Sequence, residues 1–583
     1  MHRKLISLLI ALCSYLISTA ETFIVTSNAD NGPGTLREAI TKANANGTTD
    51  TDLIIFNIAD ITEGGRTITL QTQLPALSSN ITIDGSTQPG PVLGISSAKI
   101  TLYLDHNPPA LFTYLYILNA TNVKIFGICF RYFNTTTTNV GDHYAIGTKG
   151  SNYITVGAPG KGNMFSAVPM GVSNWYDNNG SDSIRNVTIQ SNVFGLNSAN
   201  TEVYRGNIRL TQTCEITIGG PSADQGNIFV GAWIFANQSS SNATAFFANI
   251  QNNKFGLDWT GSQYFNRGGT IDSWGNVTDD TTSIKTWVIN NIMSSHNCGM
   301  SMTQLYHKAV VTGNKLNSNF SGTACRMIPV NVHFGLCKSI TVGGYTPEEE
   351  NFFPNDVYSA RRGVHLVRNQ FGWIHISGNQ PTDPFAKILT YDNGMITGKS
   401  NANAKIQLYT NTCATSACIN RKYLATTFAD ASGNWSFAYT TGMPNIVATA
   451  TTPDSSTSEF TEPEVNISNV VRKNPTCGRS NGSVTGITVS QGTHIAWLNG
   501  STLDTVSTDT NLVNVPAGSY VLTVSNGANG CKWNVSYTLY DESVPPGITP
   551  SVTHASCGRN NGSFYVSLFQ SLSYKWMNAN YDS

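Results

Sequence analysis

The chain has 583 residues, with 34 Lys and Arg against 35 Asp and Glu, a formal net charge of −1 and 12% charged residues. That balance offers no basic surface to nucleic acid and no acidic tail of the kind that stays disordered. With 40% hydrophobic residues, 10% aromatics and 52 glycines, the composition is that of a turn-rich globular chain and weighs against helix-rich folds.

In chain order, Met1 to Lys4 is a short basic start, Leu5 to Ile17 is nearly all apolar, and Ser18-Thr19-Ala20 supplies small residues at a cleavage point. Residues 1–20 therefore read as a secretory signal peptide. No later run approaches about 18 uninterrupted apolar residues, so the mature chain is expected to be exported, with no transmembrane segment. Its place would be extracellular or at the cell surface. Removing Cys13 with the leader leaves ten of the eleven cysteines, too dilute for a disulfide-dense scaffold. No C-x-x-C, His-x-Glu or His-Glu-x-x-His string occurs, so no metal or other cofactor is expected, and Ca²⁺ has no motif to hold it.

Residues 35–46 carry helix signals. Thr35 followed by Glu38 fits a capping box, Leu36, Ala39, Ile40 and Ala43 share one face, and Gly47 stops the element. Strands are predicted at 52–58 (DLIIFNI), 66–70 (RTITL) and 81–85 (ITIDG). Further along, the chain repeats itself. Ile154-Thr-Val-Gly, Ile216-Thr-Ile-Gly and Ile340-Thr-Val-Gly recur at 62 and 124 residues, and each is followed by Asn-x-Phe, at Asn163, Asn227 and Asn351. A second string around Asn192 returns around Asn253 and Asn314 at spacings of 61, and a weaker copy ends near Asn379. A period in this range, with local alternation and Gly or Asn punctuation, demands stacked β coils, two or three to each unit. Ile and Val would point inward and Asn would take the bends, where side-chain amides can form ladders. At about 25 residues per coil, some 360 residues give roughly 14 coils. Such a stack needs capping at its open ends, and residues 35–46 supply one cap.

The run TSNADNGPGTLREAITKANAN, followed by LIIFNI, TITL and ITIDGSTQPG, resembles the N-terminal region of secreted right-handed parallel β-helix surface proteins of the pectin-lyase-like class. The ITVGG…GN-x-F strings resemble the coil repeats of the same group. The likeness covers about residues 21–380 and implies an all-β, right-handed parallel β-helix over 21–382 with an N-terminal capping helix, displayed outside the cell. It does not by itself imply catalysis.

The register is lost at Pro381-Thr-Asp-Pro384. Short alternating strands at 404–410, 423–428, 434–440 and 445–452 then suit a small β-sandwich over 383–463. This looks like an Ig-like spacer of bacterial surface proteins, with Cys413 and Cys418 close enough for a local disulfide. Residues 464–543 form a further module, because PTCGRSNGSVTGITV at 475–489 recurs as ASCGRNNGSFYVSL at 555–568, a shift of 80. The module resembles the SprB-type repeat of gliding-motility surface adhesins, in which Cys477 and Cys531 are candidate partners. A second copy starts at 546 and runs to 583 without its equivalent of Val515 to Cys531. The chain is therefore expected to be the N-terminal part of a longer protein.

The case for catalysis is thin. Inverting glycosidases need two carboxylates roughly 6.5–9.5 Å apart. The candidates are Asp105 beside His106, Asp142 beside His143, Asp177, Asp258, and Asp279 with Asp280, and none recurs at the 61-residue register with a partner. A lyase would want a Ca²⁺ carboxylate cluster and a base. Arg361 and Arg362 are basic, but Asp356 and Glu348 to Glu350 read as a solvated loop. Aromatics concentrate in the middle coils: Trp175, Tyr176, Trp233, Trp259, Tyr264 and Trp274. Trp175, Trp233, Trp259 and Trp274 are the candidate ligand-binding residues. The expectation is an adhesin-like or display protein binding extracellular glycans or cell-surface components without turnover. A secreted polysaccharide lyase or glycosidase, and a stalk or surface-layer component, are the alternatives.

Overall fold

In the computed structural model the described residues are 20–565, apart from 109–111, 134–142, 174–184, 204–205, 212–214, 239–246, 276–283, 295–298, 304–307, 317–330, 335–338, 354–356, 360–363, 372–373, 377–382, 393, 413–419, 440–445, 455, 462–464, 477, 490–492, 527–531 and 543–550. The expected signal peptide therefore lies outside them but for Ala20. So do Cys13, Cys413, Cys418, Cys477 and Cys531. Among the described residues no helix is long and apolar enough to cross a membrane.

The N-terminal helix, α1, spans Leu36–Ala45 and buries the four residues of its apolar stripe, Leu36, Ala39, Ile40 and Ala43. Thr35 Oγ1 accepts from Glu38 N–H at 3.3 Å, as a helix-starting threonine should. The reciprocal half of the capping box differs from expectation, because the Glu38 carboxylate accepts from Gly34 N–H at 2.6 Å, one residue earlier. Arg37 ties the cap to the following coil through Asp30 (2.7 Å), Thr72 O (2.9 Å) and Gln73 O (2.8 Å).

Behind this cap the chain winds as a parallel β-helix of three sheets. The first has 12 strands, from Thr22–Val25 to Val364–Val367. The second begins at Thr67–Thr69, and the third has eight strands, from Met170–Ser173 to Ile374–Ile376. At the bend between first and second sheets, one asparagine per coil forms an unbroken ladder: Asn163, Asn192, Asn227, Asn253, Asn291, Asn314, Asn351 and Asn369, all fully buried. Each Nδ2 donates to the next Oδ1 at 2.7–3.0 Å, and the same Oδ1 accepts the backbone N–H of the preceding rung. Two residues after each asparagine from Asn163 to Asn351 an apolar side chain points inward. Phe130, Phe165, Phe194, Phe229 and Phe255 stack face to face, with centroids 5.2, 4.5, 4.8 and 4.8 Å apart.

The ladder explains the sequence period and corrects two expectations. Rungs are separated by 18 to 38 residues, so a coil averages nearer 30 residues than 25, and the first sheet holds 12 strands where 14 coils were expected. Coils carrying Asn192, Asn253 and Asn291 reach the rung through a tight turn with one left-handed residue, Ser191, Asn252 or Asn290. Those carrying Asn163, Asn227 and Asn351 use a longer turn that opens on a left-handed glycine, Gly157, Gly219 or Gly343. The two turn types alternate along much of the stack, and two coils make the 61-residue unit. Glycine is required in the longer turn, since a Cβ on Gly219 would stand 1.8 Å from Gln251 O and one on Gly343 would stand 1.9 Å from Val367 O. The fourth copy lies ten residues earlier than the string ending near Asn379 predicts. The last described rung is Asn369, in Val-Arg-Asn-Gln-Phe, whereas Ile374–Ile376 is a third-sheet strand and Asn379 lies outside the described residues.

The strands expected of a separate sandwich exist but do not stand apart from the coils. Asn420–Phe428, Lys405–Thr412 and Ile446–Thr451, in that order, extend the second sheet, each antiparallel to the strand before it, with Arg421 opposite Phe371. Tyr409, Val447 and Phe460 join the coil core, and Thr457 bonds Val364 O (3.2 Å) and Leu366 N (3.1 Å). Residues 394–461 accordingly form one compact unit with the β-helix and close its second end. The physical reason is the open coil end, whose apolar residues and unpaired backbone need cover there as much as at α1.

Residues 462–583 belong to the other compact unit. A three-stranded sheet (Val471–Lys473, Gly482–Thr485, Leu512–Val515) and a four-stranded sheet (Thr493–Asn499, Thr505–Ser507, Gly518–Asn526, Lys532–Leu539) share a core that includes Val484, Trp497, Leu522 and Tyr537. Tyr520 Oη donates to Pro516 O at 2.7 Å, pinning the entry to its strand. The tandem shift of 80 is visible in atomic detail. Arg472 pairs with Val484 and Val552 with Phe564, and the intervening loops share the bond from Thr476 or Ser556 N–H to Asn481 or Asn561 Oδ1, 2.9 Å in each.

Candidate ligand-binding face

The third sheet gathers functional side chains on its outer surface. Its strands alternate, so Ile208, Ile234, Ile271, Met300 and Val332 face the core, each at most 2% exposed. The residues between them make an outward row in register: Arg209, Phe235, Asp272, Ser301 and His333. Neighbours in the row are about 4.8 Å apart, so Arg209 and Asp272 are separated by roughly 10 Å across Phe235. Trp233 stands just before its strand, 44% exposed, with its indole 5.2 Å from the Phe235 ring at 57°. Asn207 Oδ1 accepts from Trp233 N–H at 2.9 Å and fixes that backbone.

Charge on this face is arranged around the aromatic pair. Burial raises the Asp272 carboxyl above its ordinary range, and a hydrogen bond with Ser301 partly offsets the shift. Arg209 is half-buried and makes no ion pair among the described residues. An apolar ring platform with guanidinium donors on one flank and a carboxylate acceptor on the other can stack a ring face and bond its rim. Among the described residues no group of three or more His, Cys, Asp or Glu could hold a metal ion.

The candidate residues from sequence divide sharply. Trp233 lies on this face, and position 274 pairs in the same sheet with positions 237 and 303. Trp175 is outside the described residues. Trp259 sits on the outer side of the second sheet, half-buried, with its indole N–H donating to Ile95 O at 2.6 Å. Asp105 pairs with His106 at 2.8 Å on the surface. His143 is buried: its Nδ1 accepts from Phe112 N–H (3.2 Å) and its Nε2 meets Asn107 Oδ1 (3.2 Å). Asp258 accepts from Gln263 N–H and the Thr260 and Ser262 hydroxyls within its own turn. Glu349 and Glu350 do more than solvate a loop, since Glu349 Oε2 accepts from Tyr345 and Thr346 N–H and Glu350 pairs with Arg368 at 2.9 Å. Asp142, Asp177, Asp279, Asp280, Arg361 and Arg362 lie outside the described residues.

Sequence reasoning missed Arg209, Phe235, Asp272 and Ser301. Among the described residues the third-sheet strands carry no asparagine rung, so nothing marks their register until the first two sheets are aligned. No family model matches the chain, and no curated protein matches it. What it is by fold is a capped parallel β-helix with antiparallel β modules.

Proposed function

We propose that this is a secreted, surface-displayed protein that binds extracellular glycans through the outer face of its third sheet, without turnover. The observation that carries the reading is the exposed Trp233 against Phe235, flanked in register by Arg209 and Asp272. A flat row of this kind suits an extended polymer better than a small enclosed substrate. The signal-like leader and the tandem modules support display outside the cell.

Binding of the full chain to a panel of acidic and neutral polysaccharides is the direct test. Trp233→Ala should weaken binding about tenfold or more, equivalent to ~1.4 kcal/mol. Unchanged affinity in that variant would remove this face from consideration. A second reading, a polysaccharide lyase or glycosidase, is favoured by one feature, the half-buried Asp272 with its raised pKa. New reducing ends or unsaturated products in the same incubations, lost in Asp272→Asn, would establish it over the binding reading.

A further inference from the structure

The outer side of the second sheet is covered. The outward residues Thr101, Cys129, Met164, Val193, Ile228 and Lys254 are each at most 7% exposed, although they face away from the coil interior. Most of this cover is a separate apolar cluster, in which Leu93, Ile95 and Ala98 from one segment meet Leu196, Val230, Trp259 and Phe265 from others. Polar bonds lock the segments together. Ile95 N–H donates to Asn200 Oδ1 at 2.8 Å, Trp259 Nε1 donates to Ile95 O at 2.6 Å, and Ser198 Oγ donates to Glu63 Oε1 at 2.7 Å. Gly94, left-handed at φ +55°, passes so close that a Cβ there would stand 2.4 Å from Asn200 Oδ1.

These bonds join residues 105, 164 and 135 positions apart. In a simple solenoid each coil touches only its neighbours and can peel away alone. Here Ile95 precedes the strand Ile100–Leu104, and Trp259 follows Lys254–Phe255, five strands further along the second sheet. At about 4.8 Å per strand the two segments bridge roughly 24 Å along the axis.

We propose that this outer strap makes the six coils between Ile95 and Trp259 one load-bearing block, so that tension along the chain opens them together. Peeling the coil at the Ile95 end requires breaking the Trp259–Ile95 and Asn200–Ile95 bonds, peeling the one at the Trp259 end requires breaking the Trp259–Ile95 bond, and either bares the outer cluster, which spans the remaining coils. The inference is independent of the glycan reading, because no strap residue lies on the third-sheet face.

Single-molecule pulling on the full chain, tethered at its two termini, tests it. The expected record contains one release of the 164-residue span between Ile95 and Trp259, a gain in contour length of roughly 550 Å at about 3.4 Å per residue. Trp259→Phe keeps an apolar ring and removes the indole bond, and Asn200→Ala removes the acceptor for Ile95. Splitting of the long release into steps of about one coil, in either variant, supports the strap. Single-coil steps in the native chain, or an intact long release in both variants, overturns it. Polysaccharide binding by the same variants is expected to be unchanged, which separates this result from any failure of the glycan reading.

Discussion

A buried asparagine in this coil is worth more than its own hydrogen bonds. Asn227 Oδ1 satisfies both Asn192 N–H (2.9 Å) and Asn192 Nδ2 (3.0 Å), while its Nδ2 reaches Ile189 O and Asn253 Oδ1. Asn227→Ala would orphan several fully buried polar groups with no route to water, each costing about 1–3 kcal/mol. A loss of about 3–6 kcal/mol in urea unfolding is expected, against a much smaller loss for an exposed asparagine such as Asn57. His365 makes a different case. Burial and then the nearby Lys405 charge push its imidazole down to about 4, and its Nε2 is buried without a hydrogen-bond partner. Because the folded state resists the proton that the unfolded state accepts, His365 contributes no penalty above its unfolded value near 6.5 and a growing one as pH falls toward about 4. The urea midpoint should therefore drop across that window and level off below it, and His365→Phe should flatten this part of the profile.

At the scale of the element, the turn decides what the coil can be. The long turns open on a glycine that lies against the backbone of the next coil, so side-chain size and backbone conformation are restricted at one position. Gly219, at φ +86°, would put an alanine Cβ 1.8 Å from Gln251 O. Gly219→Ala is expected to cost more than the 1–3 kcal/mol of a strained backbone alone, because the neighbouring coil must also move. Thermal melting should show the drop. A Gly160→Ala control, where nothing lies within 4 Å but φ is also positive, should show only the backbone part. α1 was legible in the sequence down to its buried face, because capping and periodicity are local. Its Glu38 contact was not, since the carboxylate chose Gly34 by the path of the preceding loop.

For the whole molecule, the two ends of the coil stack pose one problem with two solutions. The N-terminal end carries a short helix, and the other end carries antiparallel strands grown from the second sheet itself. Tyr409 is fully buried there, packed edge-on against Phe460 at 5.2 Å. A chain ended after Thr382 would bare Val364, Leu366 and the last strand edge of the second sheet. It is expected to aggregate, or to lose the coils nearest that end, as read by size-exclusion chromatography and hydrogen exchange. A chain ended after Thr461 should stay monodisperse. Full behaviour of the shorter chain would mean that the antiparallel strands are a spacer and not a cap.

By itself the sequence determined the all-β repeat, the asparagine bends, the helical cap and the tandem shift of 80, since each rests on residue identity recurring at a fixed distance. Asn-x-Phe after Ile-Thr-Val-Gly is readable because a buried amide and a left-handed turn tolerate few substitutes. Tertiary structure alone decided which strands became the second cap, that Trp259 clamps an outer strap while Trp233 faces outward, and that Arg209, Phe235, Asp272 and Ser301 fall in one row. Those outcomes depend on register between coils about 30 residues apart, and a side chain on the outward face of a strand leaves no periodic mark, because solvent accepts almost any residue there.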